Sequence, residues 1–151
     1  QHIAVIPLRI TWSTETFDTL SLGKKFKKVS ESEQLAIFAA AQRRLGKESH
    51  WWPYVESLPR LSDMTQPVVW TEEELKELQG SHLGEFVAQE RKNIKSTYDN
   101  ALKQVPKLKK LNATLEDVLW GYVFSRERVV TVDPKYPQAM VPVADSINFA
   151  P

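Results

Sequence analysis

The chain has 151 residues, 42% hydrophobic and 26% charged, a balance that fits one globular domain with a sizeable core. Twenty basic residues against nineteen acidic ones leave a formal net charge of +1, which gives no global pull toward nucleic acid or anionic lipid. The absence of cysteine excludes disulfides, zinc–thiolate sites and cysteine nucleophiles, and no apolar run approaches the ~20 residues of a membrane span.

Gln1 to Pro7 shows no basic segment followed by an apolar stretch, so no signal peptide is expected. A start on Gln reads as a processed product or an excerpt. Ile3-Ala4-Val5-Ile6, bounded by Pro7, reads as a strand. Ser13 or Thr14 is placed to cap a short helix through Leu20, and Lys24, Lys25, Lys27 and Lys28 after Gly23 read as a solvated loop. Ser30 and Glu33 have capping-box spacing, and Leu35, Phe38, Ala39, Gln42 and Leu45 follow at helical period to a stop at Gly46. Pro53 suits the first turn of a short helix whose apolar payload is Trp52, Tyr54, Val55 and Leu58, with Pro59 ending it. A second box, Thr71 with Glu74, predicts a helix through Leu75 and Leu78, interrupted at Gly80. The longest stripe is Leu83, Val87, Glu90, Ile94, Tyr98, Ala101 and Val105, closed by Pro106. A third box, Thr114 with Asp117, starts a helix carrying Val118, Leu119, Tyr122 and Val123. Val129 to Val132 reads as a strand, and Met140 to Ile147 as extended and apolar. The expected class is α+β, mainly helical, with short strands confined to the two ends.

Self-contained chemistry is scarce. His2, His50 and His82 have no ligand spacing, so no metal site is expected. The five glycines form neither a P-loop nor a dinucleotide fingerprint. The lysine-rich stretches 24–28 and 103–110 have little aromatic interleaving and read as solvated faces, so nucleic acid is not an expected partner. The aromatic-rich segment 49–59 reads as core. The more informative segment runs from Trp120 to Ser125-Arg126 and resumes at Val141-Pro142-Val143-Ala144-Asp145-Ser146-Ile147-Asn148. Polar groups in such apolar runs cost ~1–3 kcal/mol each without partners. On residues alone, a structural hydrogen-bond network and a ligand site stand equal.

The motifs also occur in a particular order. Trp51-x-Pro53-Tyr54-Val55-x-x-Leu58-Pro59 comes first, then Trp120 with Ser125-Arg126, then Pro142-x-x-Asp145-x-x-Asn148. Leu35 to Phe38 precedes the first of them, and Trp70 to Leu75 with Leu78-Gln79-Gly80-Ser81 lies between the first and the second. This order resembles the SET-domain protein methyltransferases of the class that includes Rubisco large-subunit methyltransferase and the actin histidine methyltransferase. The resemblance covers nearly the whole chain, with Ile3 to Ile10 similar to the strand closing the first SET part.

The resemblance implies a split SET β-fold interrupted by a helical insertion, the iSET. Residues 1–29 would end the N-terminal SET part, 30–126 would be the insertion, and 127–151 would begin the C-terminal part. It implies S-adenosyl-L-methionine as cofactor and a lysine-bearing protein as substrate, with histidine as the other acceptor known in the class. Such a lysine must lose a proton, at about 4.6 kcal/mol from a pKa of about 10.4 at neutral pH. An apolar channel and a nearby sulfonium lower that cost. Arg126 would reach the cofactor's carboxylate end and Asn148 its methionine part, with Asp145, Ser146 and Ile147 in the same lining run. Phe149 stands where the family has a histidine that uses its backbone on adenine.

No catalytic residue is assigned. The family's Gly-x-Gly loop lies upstream of the first strand and its catalytic tyrosine downstream of Asn-His, and none of Tyr54, Tyr98, Tyr122 or Tyr136 matches that context. The chain alone is therefore expected to be inactive within an active parent. The competing reading is a non-catalytic helical interaction module that holds a partner on the stripe from Leu83 to Val105. An intracellular location is expected, with cytoplasm, nucleus and plastid undistinguished, no membrane association, and the oligomeric state open.

Overall fold

Ser and Thr residues paired with an acid three positions on decide where the main helices begin. The computed structural model describes residues 5–7, 10–14, 29–132 and 138–146. Helix α1, Glu31–Leu45, starts on a full capping box: Ser30 Oγ accepts from the Glu33 amide at 3.3 Å, and the Glu33 carboxylate accepts from the Ser30 amide at 2.8 Å. It stops at Gly46, whose φ of 55° suits a residue without a side chain. Every residue from Leu35 to Gln42 is buried, so α1 is a core helix covered on all sides.

After a 3-10 turn at Gly46–Glu48 comes α2, Trp52–Ser57, with proline in its first turn as expected. Three more 3-10 turns, Leu61–Asp63, Pro67–Val69 and Glu74–Leu78, lead to α3, His82–Gln104. Pro106 ends α3 and opens the short α4, Pro106–Lys110, because the residue before a proline disfavours helical geometry. Helix α5, Leu115–Glu127, starts on the Thr114–Asp117 box. Asp117 does double duty, since it also accepts from Arg44 Nε of α1 at 2.5 Å.

The sheet has three antiparallel two-residue strands in the order β1 (Trp12–Ser13), β3 (Ala139–Met140), β2 (Val129–Val130). Met140 sits opposite Trp12 on one side and Val129 on the other. Strands thus occur only toward the ends of the chain among the described residues, as the sequence predicts.

Two cores share α1 and α5. In the first, fully buried Trp12 meets Phe38 and Tyr54 edge-on, each with ring centroids 5.1 Å away, and Trp51 at 6.4 Å. Met140 belongs to the same cluster, so the flanking strands and the helices pack as one body. The second core joins Ala36 and Ala40 of α1 to Val118, Tyr122 and Val123 of α5, Ile94 of α3, and Val68. Where α1 crosses α5, Gly121 lies against the backbone of Ala36. No helix among the described residues is long and apolar enough to cross a membrane.

Several expectations need correction. The Thr71–Glu74 box forms, with the Thr71 amide 2.7 Å from the Glu74 carboxylate, yet Glu74–Leu78 is a 3-10 turn with no buried residue. A cap without an apolar face to bury does not sustain an α-helix. Ser13 lies in β1, and the short helix expected from Ser13 or Thr14 through Leu20, like the lysines of 24–28, falls outside the described residues. Val5 and Ile6 carry no strand, and Ile3 and Ala4 lie outside the described residues. Of the 129–132 stretch, strand β2 takes Val129 and Val130. The extended run expected from Met140 breaks at Val143, with φ 74°, into a 3-10 turn at Ala144–Ser146. Trp52 is half-buried; the neighbouring Trp51 is the buried tryptophan of the segment. The α3 stripe is buried at Val87, Ile94, Ala101 and Val105, but Leu83 stands exposed.

Glu33 also accepts from Thr97 Oγ1 of α3 at 2.5 Å. Burial works to raise its pKa, but hydrogen bonds from Ser30 and Thr97 outweigh that and hold it below the ordinary 4.5. A carboxyl lowered in the folded state stabilises the fold above its unfolded pKa, and that contribution is lost as pH falls through the folded value. Glu33→Gln is therefore expected to lower the urea midpoint at neutral pH, with the deficit closing in acid. A deficit independent of pH would show that packing rather than charge is at stake.

Candidate functional site

The C-terminal turn of α5 delivers two arginines to different neighbours. Arg126 and Arg128 are two residues apart, a spacing that does not share a helix face. Arg126 Nη1 donates to Tyr122 Oη at 2.7 Å and to Glu90 Oε1 of α3 at 3.0 Å. Tyr122 Oη donates to the same Glu90 oxygen at 2.9 Å, and the guanidinium lies 5.4 Å from the Tyr122 ring centre. Burial first, and then the Glu90 carboxylate, push the Tyr122 phenol up, with Arg126 partly opposing. The phenol therefore stays protonated and donates to Glu90. Arg126 is half-exposed and lines a polar cavity of about 420 Å³ with Ser30, Glu33, Asn93, Thr97 and Asn100.

Arg128 faces the chain's last described segment. Its Nη1 donates to the Asp145 carbonyl at 3.2 Å and pairs with the Asp145 carboxylate at 3.5 Å, while the guanidinium stacks over Phe124. The same carboxylate accepts from Tyr54 Oη of α2. Burial, then the hydrogen bond and charge of Asp145, raise the Tyr54 phenol. The Asp145 side chain is 2% exposed, so burial is offset by a partner on each side. This network pins the Ala144–Ser146 turn to α2 and to the end of α5.

Of the residues singled out in the sequence, Arg126 and Asp145 are thus held by different elements: Arg126 by α3 and α5, Asp145 by α2 and Arg128. Ser146 closes the 3-10 turn, and Ile147, Asn148 and Phe149 lie outside the described residues. Sequence reasoning passed over Glu90, Arg128 and the hydroxyl of Tyr54. Glu90 did carry a signal, since an acid on a position of an apolar stripe needs a partner. The pairing of Tyr54 with Asp145 across 91 positions carried none.

No family model matches the chain. It is 25% identical over 150 residues to the chloroplastic fructose-bisphosphate aldolase-lysine N-methyltransferase of Arabidopsis thaliana, covering 97% of this chain and 30% of that protein. It is also 25% identical over 152 residues to the chloroplastic Rubisco large-subunit N-methyltransferase of Pisum sativum, covering 98% of this chain and 30% of that protein. The chain therefore spans about a third of the length of the curated relatives it matches. In structure it is similar to the SET domain of LSMT crystallised with lysine and AdoHcy (S-adenosylhomocysteine), with a TM-score of 0.81 at 24% identity over 96% of this chain and 33% of that one. Likeness in sequence and likeness in fold run over the same span, and they show that the chain carries a part of the SET-domain fold and is similar to the lysine methyltransferases of the Rubisco large-subunit methyltransferase class.

Proposed function

We propose that this chain forms the helical insertion and flanking strands of an S-adenosylmethionine-dependent protein-lysine N-methyltransferase, and that Arg126 and the run from Asp145 to Phe149 line its cofactor pocket. The observation that carries this reading is sequence likeness to lysine N-methyltransferases over 97% of the chain. The described residues fit the carboxylate end of the cofactor: Arg126 offers a guanidinium to a polar cavity of about 420 Å³. Asp145, already paired with Tyr54 and Arg128, fits a role in placing the segment that leads to Asn148. S-adenosylmethionine, when bound, supplies the methyl group on a sulfonium. What this chain's residues do is bind and orient. The hydroxyls of Tyr54, Tyr98 and Tyr122 all donate to internal acceptors, which supports the reading that none of these three is catalytic; that the chain alone transfers no methyl group belongs to the same proposal.

A lysine-bearing protein substrate and an intracellular location belong to the same proposal; the two relatives named above are chloroplastic. The interaction-module reading is weakened by burial of Val87, Ile94, Ala101 and Val105 within the chain's own core, which leaves Leu83 and Phe86 as the exposed apolar end of α3.

The test is calorimetry with AdoHcy on the whole protein. Hydrogen bonds to charged groups contribute roughly 1.5–3 kcal/mol, so Arg126→Ala is expected to weaken binding roughly ten- to hundredfold. Unchanged affinity would place the carboxylate contact elsewhere.

A further inference from the structure

We infer that Glu90 and Tyr122 are positioning residues that hold Arg126 by one nitrogen, so that its remaining N–H edge is presented to the polar cavity for the carboxylate of an amino-acid-bearing ligand. The inference rests on the reading of Arg126 as the cofactor's carboxylate partner, and it adds what makes that arginine competent.

The geometry is specific. Both protein hydrogen bonds of Arg126 are made by Nη1, leaving Nε and Nη2 without a partner among the described residues. Bidentate recognition of a carboxylate needs two parallel N–H bonds from one edge of the guanidinium, and the Nε–Nη2 edge provides them. Glu90 is the fixed point of the arrangement, with its side chain only 15% exposed. Tyr122 bridges, donating to Glu90 while accepting from Arg126, and its ring supports the guanidinium from below. Its raised phenol keeps this donor order across the neutral range. A free arginine side chain gives up rotamer freedom when it is fixed. Anchoring it in advance removes part of that cost from the binding step. Glu90 also opposes the ligand's negative charge, so positioning and repulsion act in opposite directions, and the sign of the Glu90→Gln effect decides between them.

The experiment compares two ligands on the whole protein by calorimetry: AdoHcy, and methylthioadenosine, which keeps the thioadenosyl part and lacks the amino acid. Tyr122→Phe keeps the ring and Glu90→Gln keeps the shape, so both are mild to the fold, and matching melting midpoints check this. Each is expected to weaken AdoHcy about tenfold, within the coupling range of residues sharing one network, and to leave methylthioadenosine unchanged. In an Arg126→Ala background Tyr122→Phe should add nothing. Wild-type affinity in both variants, equal weakening of both ligands, or tighter AdoHcy binding by Glu90→Gln would each overturn the inference. If Arg126→Ala weakens AdoHcy and the two variants do not, only the positioning role falls. If Arg126→Ala itself binds normally, the cofactor reading falls and this inference with it.

Discussion

Gly121→Ala is expected to destabilise the chain by about 3 kcal/mol or more, beyond the ordinary range for an overpacked site. In the interior of a helix this change is normally favourable by about 1 kcal/mol, so a large loss would be a reversal of sign. The cause is local and backbone-bound. A Cβ on Gly121 would stand 2.2 Å from the Ala36 carbonyl oxygen, 3.0 Å from its carbonyl carbon and 3.1 Å from its Cα. Those atoms belong to α1, which is buried from Leu35 to Gln42 and cannot retreat without opening both cores. Single domains hold only about 5–15 kcal/mol in all, so one methyl group would remove a large share of it. Urea melts measure this directly; a midpoint at or above that of the wild type would show that α1 and α5 do not approach so closely.

Trp12→Ala and Trp51→Ala should each cost about 3–5 kcal/mol, the range for removing a large aromatic from a core. Trp12 is fully buried and Trp51 is 6% exposed. They meet each other and Phe38 edge-on, and Trp51 Nε1 donates to the Ile10 carbonyl at 3.2 Å. Because the two rings touch, the double variant should lose less than the sum of the single ones. Trp52→Ala should cost less than either, since Trp52 is only half-buried. Finding the largest shift at Trp52 would overturn this ordering.

What the sequence disclosed was whatever is decided within one helical turn. The boxes at Ser30 and Thr114 announced the starts of α1 and α5, and Gly46 and Pro106 announced the stops of α1 and α3, because caps and breakers act on neighbouring backbone. What failed depended on contacts from afar. Thr71 and Glu74 made their local bonds, but the turn that followed buries no residue. Trp51 was passed over for Trp52 because its burial depends on Trp12 from β1, and Trp12 sits in a short polar stretch with no periodicity of its own. At the candidate site, Arg126 was legible as the end of a helix. Its anchor Glu90 was hidden in the α3 stripe, and the clasp of Tyr54 and Arg128 on Asp145 joins segments no pattern connects.

The strand order β1-β3-β2 has a consequence for the growing chain. The middle strand is the last of the three to be synthesised, and Met140 forms one wall of the seat that Trp12 occupies. At ordinary rates of translation, β1 waits roughly 6–26 s for Ala139 and Met140 to follow it out of the ribosome. Helices form in about a microsecond, so the helical layers can settle long before the sheet can close. During that interval the nascent chain carries an incompletely covered indole, and once Val129 and Val130 have followed, two strand edges with nothing between them. Such a surface is what chaperones hold and what aggregates grow from, so the vulnerable interval of this fold lasts until Ala139 and Met140 have emerged.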